Sequence, residues 1–350
     1  MSFFFKSRVS EPPAMTLEGI LGPNSRLDEA LAIAVARPDA LVVSTDGRLL
    51  ISSGTSVLVA DRWADATSPW IALDQTVTAL ATSPGGLVAV GLESGEVRVH
   101  DRRGQPLAWP APAGGPGSGA GAVSDCMFLS EDEIAVVRNG YASAQEALAM
   151  APWEAGQAGT VTGYARDGAT RVIARNLSCP MGICRDGRGE IALTELDTAR
   201  VVDVSGQVHR GGFPAYLGRL RKTQQGYLLA CLSRRDPLIE FLRTERSFVE
   251  EMKETIDPRH WISPRASPDF SHDFPIELGA TRLFGEIKPW APSFSYGLLI
   301  TLDENFMPMG SMQSRANGRR HAISDAVIWN GDVIAVSQAS GEILNLGPLT

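Results

Sequence analysis

The sequence predicts an all-β protein: a six-bladed β-propeller with a helical insertion in blade five, closed by an N-terminal strand. Three observations lead there. A strand–turn–strand–turn–strand phrase, clearest in CPMGICRDGRGEIALTELDTARVVDV (residues 179–204), recurs along the chain. Its six copies, once two insertions are set aside, are spaced by about 40 residues, the length of one four-stranded blade. The last copy is one strand short, while a segment near residues 29–34 is spare.

Residues 1–27 read as irregular, broken by Pro12-Pro13 and Gly22-Pro23, and the propeller is expected to span 28–350. Residues 28–35 (DEALAIAV) fit either a helical turn or a strand, and as a strand they close the ring. Repeat one, LVVSTDGRLLISSGTSVLVAD, turns at Asp46-Gly47 and Gly54. Repeat two, VTALATSPGGLVAVGLESGEVRVHD, turns at Gly85-Gly86 and Ser94-Gly95. The glycines supply positive φ without steric cost. Residues 106–122 are rich in Pro, Gly and Ser and read as a surface loop; a formal GxGxxA at Gly115, Gly117 and Ala120 precedes a strand instead of a helix, so it fails as a dinucleotide fingerprint. Repeat three (VSDCMFLSEDEIAVV, then GTVTGYA) is interrupted at 139–158, and repeat four is the phrase quoted above. Repeat five (YLGRLRKTQQGYLLACL, then SYGLLITLD) is interrupted at 233–294. Repeat six is ISDAVIWNGDVIAVSQASGEILNL. Repeat two alone ends in a WD40-like manner; no other copy carries Trp-Asp or Gly-His.

Composition excludes some partners. The net charge of −8 opposes the basic footprint of a nucleic-acid binder. No run approaches the ~20 apolar residues of a membrane span, and the N-terminus lacks the charged and apolar regions of a signal peptide, so a cytoplasmic location is expected. Cys126, Cys179, Cys184 and Cys231 fall in or beside strands and read as reduced core residues, since free Cys packs as a small hydrophobe.

With the repeats laid out, the chain resembles the strictosidine synthase-like proteins, of the six-bladed superfamily that includes gluconolactonases and paraoxonases. Arg37-Pro38-Asp39 before STDGRLLISSG looks like the family's Gly-Pro-Glu, TELDTARVV like its Glu-Thr…Arg strand pair, and RRDPLIEFLRTERSFVEEMKETI followed by SYGLLITLDEN like its helical segment and the next strand. In the metal-dependent members a blade-one acid and Asn or Asp side chains from later inner strands hold a divalent cation on the axis. Carried over, these positions fall on Asp39, Ser124 with Asp125 retained, Met181, and Leu217-Gly218. Thioether and leucine are not ligands for a hard cation, so no metal and no other cofactor is expected. The condensing members use a glutamate on the last inner strand, where this chain has Ser324. His321 or Asp325 could transfer a proton there, but neither matches the motif, and His321 reads as a surface loop residue after Arg319-Arg320.

The resemblance implies a funnel lined by Asp39, Ser124, Met181, Leu217 and Ser324, with Asp39, Asp125, His321 and Asp325 as the catalytic candidates. Two functions follow from it. One is a binding or accessory propeller with an eroded metal site, holding a small molecule or a protein partner through its face. The other is a metal-independent condensing or lactonase-like hydrolytic enzyme in the same funnel. The insertion 233–294 is expected to cap that face, with Leu238, Phe241, Leu242, Phe248 and Met252 forming one buried helical stripe.

Overall fold

The computed structural model describes residues 16–111, 121–154, 156–268 and 294–349, together with 282–283 and 286–287. Six antiparallel sheets stand around one axis, each entered by its innermost strand: Leu41–Val43, Val77–Thr82, Val123–Ser130, Pro180–Arg185, Ala215–Lys222 and Ile323–Trp329. Five sheets have four strands. Blade two has three, and residues 107–111 complete it irregularly, with Leu107 N–H donating to Val99 O and Val97 N–H donating to Ala111 O.

The turn chemistry follows the sequence. Gly47, Gly86, Gly189 and Gly331 take φ of +83°, +89°, +86° and +91°, a region closed to most side chains. Alternation along each strand then buries one apolar row against each neighbouring blade. Separate cores fill the seams: Leu49, Ile51, Ile334 and Ile343 between blades one and six, Ile134, Val136, Ala79 and Ala89 between two and three, Leu229, Ile300, Ala192 and Val201 between four and five. Gly91 marks a close approach, since a Cβ there would lie 2.6 Å from Val123 Cγ1.

The N-terminal segment closes the ring. Leu31–Ala34 pairs antiparallel with Glu342–Pro348, from Leu31↔Asn345 to Ala34↔Glu342, as the outer strand of blade six. Residues 28–35 are thus divided, the end of a short helix (Arg26–Glu29) followed by that strand. Upstream, the chain covers the outer strand of blade five, Pro308–Ser314. The Asn24 side chain bridges its edge, accepting from Gln313 N–H at 2.9 Å and donating to Ser311 O at 3.1 Å. Arg320 Nη1 donates to Leu27 O and Ala30 O at 2.7 and 2.8 Å, binding carbonyls left open at a helix end.

Both insertions leave from the turn between the second and third strands of their blades, on the face where the inner strands begin. The blade-three insertion carries helix Ala144–Met150, capped by Ser143, whose Oγ accepts from Glu146 N–H at 3.1 Å. The blade-five insertion forms two helices, Pro237–Leu242 and Arg246–Thr255, because the first ends at Arg243–Glu245 and resets the helical phase. The expected single stripe is therefore broken: Phe241 is 58% exposed, and Ile239 is buried in its place. Ile239, Met252, Trp261 and Phe294 pack with Trp153 of the other insertion, whose indole donates to Ser263 Oγ at 2.8 Å. The four cysteines are buried free thiols. The GxGxxA match lies outside the described residues, as does part of the polar stretch 264–274.

Candidate functional site

The axis is built from irregularities in the inner strands. Register slips at Val77/Ala79, Val137/Arg138 (opposite Ser124), Pro180/Gly182, Leu217/Leu220 and Ile323/Ala326 place a bulge in each of blades two to six. A bulge frees backbone groups from the ladder and re-aims side chains. Here Thr78, Ser124 and Ser324 turn their carbonyls toward the axis, and the bulge in blade five directs Arg219 and Arg221 into it.

Arg219 forms the upper layer. Its Nε donates to Ser124 O at 3.1 Å, Nη1 to Asp39 O and Oδ1 at 2.9 Å each and to Ser324 O at 3.2 Å, and Nη2 to Thr78 O. One guanidinium thus ties blade five to blades one, two, three and six. Arg221 forms the layer beneath. Nη1 and Nη2 hold Asp125 at 2.7 and 3.0 Å, and Nε and Nη2 hold Asp325 at 2.9 Å each. The carboxylates extend the tie: Asp125 Oδ2 accepts from Ile183 N–H at 3.0 Å and Asp325 Oδ2 from Leu41 N–H at 3.1 Å. Both aspartates are fully buried. Burial pushes the Asp125 carboxyl up against the pull of Arg221 and Arg219, while the two aspartates outweigh desolvation to hold Arg221 above its ordinary range.

Above Arg219 lies a funnel of about 240 Å³, lined by Asp39, Glu93, Ser124, Met181, Ser324 and Gln338 among others. Asp39 is held from the side by Gln338 Nε2, 2.9 Å from Oδ1. Ser324 Oγ donates to Asp39 O at 2.7 Å and Ser124 Oγ to Pro180 O at 2.8 Å. Asn139 Nδ2 lies 3.3 Å from Met181 Sδ. The roof comes from residues 142–145 of the blade-three insertion. Among the described residues the blade-five insertion does not line the funnel; it packs beside the roof helix, sharing a second cleft with it.

Four of the five expected funnel residues, Asp39, Ser124, Met181 and Ser324, do meet there. Leu217 does not: it is buried between blades four and five, because the bulge puts Leu217 and Leu220 into one core and leaves Gly218 and Arg219 at the axis. Asp125 and Asp325 lie below the floor, committed to Arg221. His321 is no surface residue. It is fully buried, with Nδ1 3.0 Å from Ser295 Oγ and Nε2 2.8 Å from Arg315 O, and it does not line the funnel. Trp261 packs between the insertions, whereas Trp290 and His272 lie outside the described residues. Sequence reasoning missed Arg219 and Arg221, whose signal was two arginines two residues apart in the mainly apolar inner strand AYLGRLRK.

The axial residues do not fit a divalent cation. Asp39, Asp125 and Asp325 are turned onto guanidinium groups, Glu93 is a single exposed carboxylate of the funnel lining, and the remaining positions offer a thioether, a glycine and hydroxyls. No group of three or more His, Cys, Asp or Glu placed to hold a metal occurs among the described residues.

Fold and axis together define a class, a six-bladed propeller whose centre is plugged by arginine and whose mouth is a small, roofed funnel of mixed lining. No protein-family model and no curated protein matches the chain.

Proposed function

We propose that this protein is a binding propeller, of strictosidine synthase-like kind, that holds a small polar molecule in the funnel above Arg219 without metal chemistry. The observation that carries the reading is the guanidinium at the axis: Arg219 stands at the floor of the funnel, and each of its nitrogens already donates. A group so committed is a floor, not a reagent. The funnel is smaller than the ~300 Å³ at the lower end of ligand pockets, with room for roughly eight waters' volume or one small solute. Asp39 and Glu93 offer acceptors and the second amide hydrogen of Gln338 offers a donor, which suits a compact hydroxylated or amine-bearing molecule. The same two carboxylates are what an enzymatic, metal-independent reading would draw on.

Mass spectrometry of small molecules retained by the natively purified protein tests the reading. A small polar compound should accompany the wild type and be lost from Ser324→Leu, which fills the funnel. Equal retention by both, or a calcium-dependent rise in melting temperature, would overturn it, since a ligand held only by the folded state stabilises it.

A further inference from the structure

A second cavity, of about 720 Å³, opens on the same face but away from the axis. It lies where the two insertions meet the rim of blades three and four, between Trp153, Val249, Arg175, Asp197, Arg200 and Val204 among others. Its volume falls within the ~300–1,000 Å³ of small-molecule sites, and its charges are unevenly committed.

Three carboxylates face it and each accepts at least one bond, although the buried Asp197 Oδ1 has no partner among the described residues. Glu154 Oε2 accepts from Tyr141 OH at 2.9 Å. Glu195 accepts from Ser178 N–H at 2.9 Å and from Thr198 Oγ1 at 2.6 Å. Asp197 Oδ2 accepts from Arg243 at 2.8 Å. Arg243 is spent on that bond and on Glu240 at 3.2 Å. By contrast, Arg175 and Arg200 make no side-chain hydrogen bond or ion pair among the described residues. Arg200 is half-buried, its stem lying across Gly211, where a Cβ would come 3.4 Å from its Cγ. The wall beside them carries an apolar strip within a mixed lining: Val204 is 38% exposed, Val249 is half-buried, and Trp153 and Val202 lie largely covered behind them.

Two uncommitted guanidinium groups beside an apolar strip form a site with one evident complement, because Arg binds carboxylate and phosphate oxygens through charge-assisted, often bidentate bonds. We propose that this cavity is a second binding site, for a small organic anion: a carboxylate or phosphate head carried on an apolar body. The head meets Arg175 and Arg200, and the body lies against Val204 and Val249, with Trp153 and Val202 behind them. The site shares no lining residue with the funnel and does not rest on the funnel's reading.

Anilinonaphthalene sulfonate, an apolar fluorescent anion, is the probe. The wild type should bind it saturably at one site, and decanoate or decyl phosphate should displace it while decanol does not; whichever displaces better names the head group. The double variant Arg175→Gln/Arg200→Gln should bind the probe about tenfold or more weakly, the scale of one lost charge-assisted bond. Its melting temperature should match the wild type, because neither side chain holds the fold. Absence of saturable binding, unchanged affinity in the double variant, displacement by decanol as strong as by the anions, or failure of both anions to displace would each overturn the proposal.

Discussion

The axis and the rim cavity use the same side chain in opposite ways. At the axis, Arg219 and Arg221 are ringed by carbonyls and carboxylates from other blades, and every guanidinium nitrogen donates. At the rim, Arg175 and Arg200 face open space without a partner among the described residues. The difference is one of reach. The inner strands converge, so a single side chain can span several blades, and each bulge turns a carbonyl toward it. The outer strands diverge, and an arginine there has only its own neighbourhood to bond. The two axial layers together engage all six blades, blade four through Asp125 and Ile183 N–H. The ring is thus latched at its axis, and the two rim arginines take no part in that latch.

The largest effect should come from the lower layer. Arg221→Met strands Asp125 and Asp325 as fully buried charges, and breaking such a pair from one side costs about 3–5 kcal/mol. Urea unfolding should show a loss of that size or failure to fold. Adding Asp125→Asn and Asp325→Asn should restore much of it, because the amide oxygens can still accept from Ile183 and Leu41 N–H. A fully stable single variant would show that the layer does not latch the ring.

A smaller loss is expected above it. Arg219→Met frees Asp39 and the Thr78, Ser124 and Ser324 carbonyls, but these face the funnel, where water can replace the lost donors. The cost should be about 1–3 kcal/mol, with the ring still folding cooperatively. An effect equal to that of Arg221→Met would erase the distinction between a sealed layer and a solvated one. At the rim, Arg175→Gln or Arg200→Gln should change stability by no more than about 0.5 kcal/mol, as for surface positions without partners.

Much of the ring was legible because it depends on local chemistry. Glycine turns, apolar alternation and a missing strand are written in short stretches, and the closing pair Leu31–Ala34 with Glu342–Pro348 followed from a count of strands. The axis was legible only in part. The resemblance put Asp39, Ser124, Met181 and Ser324 in the funnel, but the side each residue faces depends on bulges, and a bulge leaves no dependable mark in sequence. Hence Leu217 was expected at the funnel, while Arg219 was overlooked. The partners of these arginines lie 180, 96 and 104 residues away, and no periodicity encodes a pairing across blades. The insertion was misread for a related reason: hydrophobic spacing assumes one continuous helix, and the break at Arg243–Glu245 put Phe241 on the outside.

The smallest predicted effect concerns a titratable group that the fold keeps neutral by burial instead of charged by pairing. His100 ends the third strand of blade two, Val97–His100, at 3% exposure, and its Nδ1 has no hydrogen-bond partner among the described residues. Desolvation pushes its pKa below the usual value, Arg98 adds to the shift, and Asp101 opposes it in part. The sign follows from linkage. Above about pH 6.5 the imidazole is neutral in folded and unfolded chains alike, and nothing is lost. As pH falls through that value the unfolded chain takes up a proton that the folded chain resists, so stability declines until the depressed folded-state pKa is reached, then levels off. Melting temperatures measured from pH 7.5 to 5 should fall for the wild type and fall less for His100→Gln, which cannot take the proton. Parallel profiles for the two proteins would show that His100 is not held neutral, and that burial at the edge of blade two is looser than at the axis.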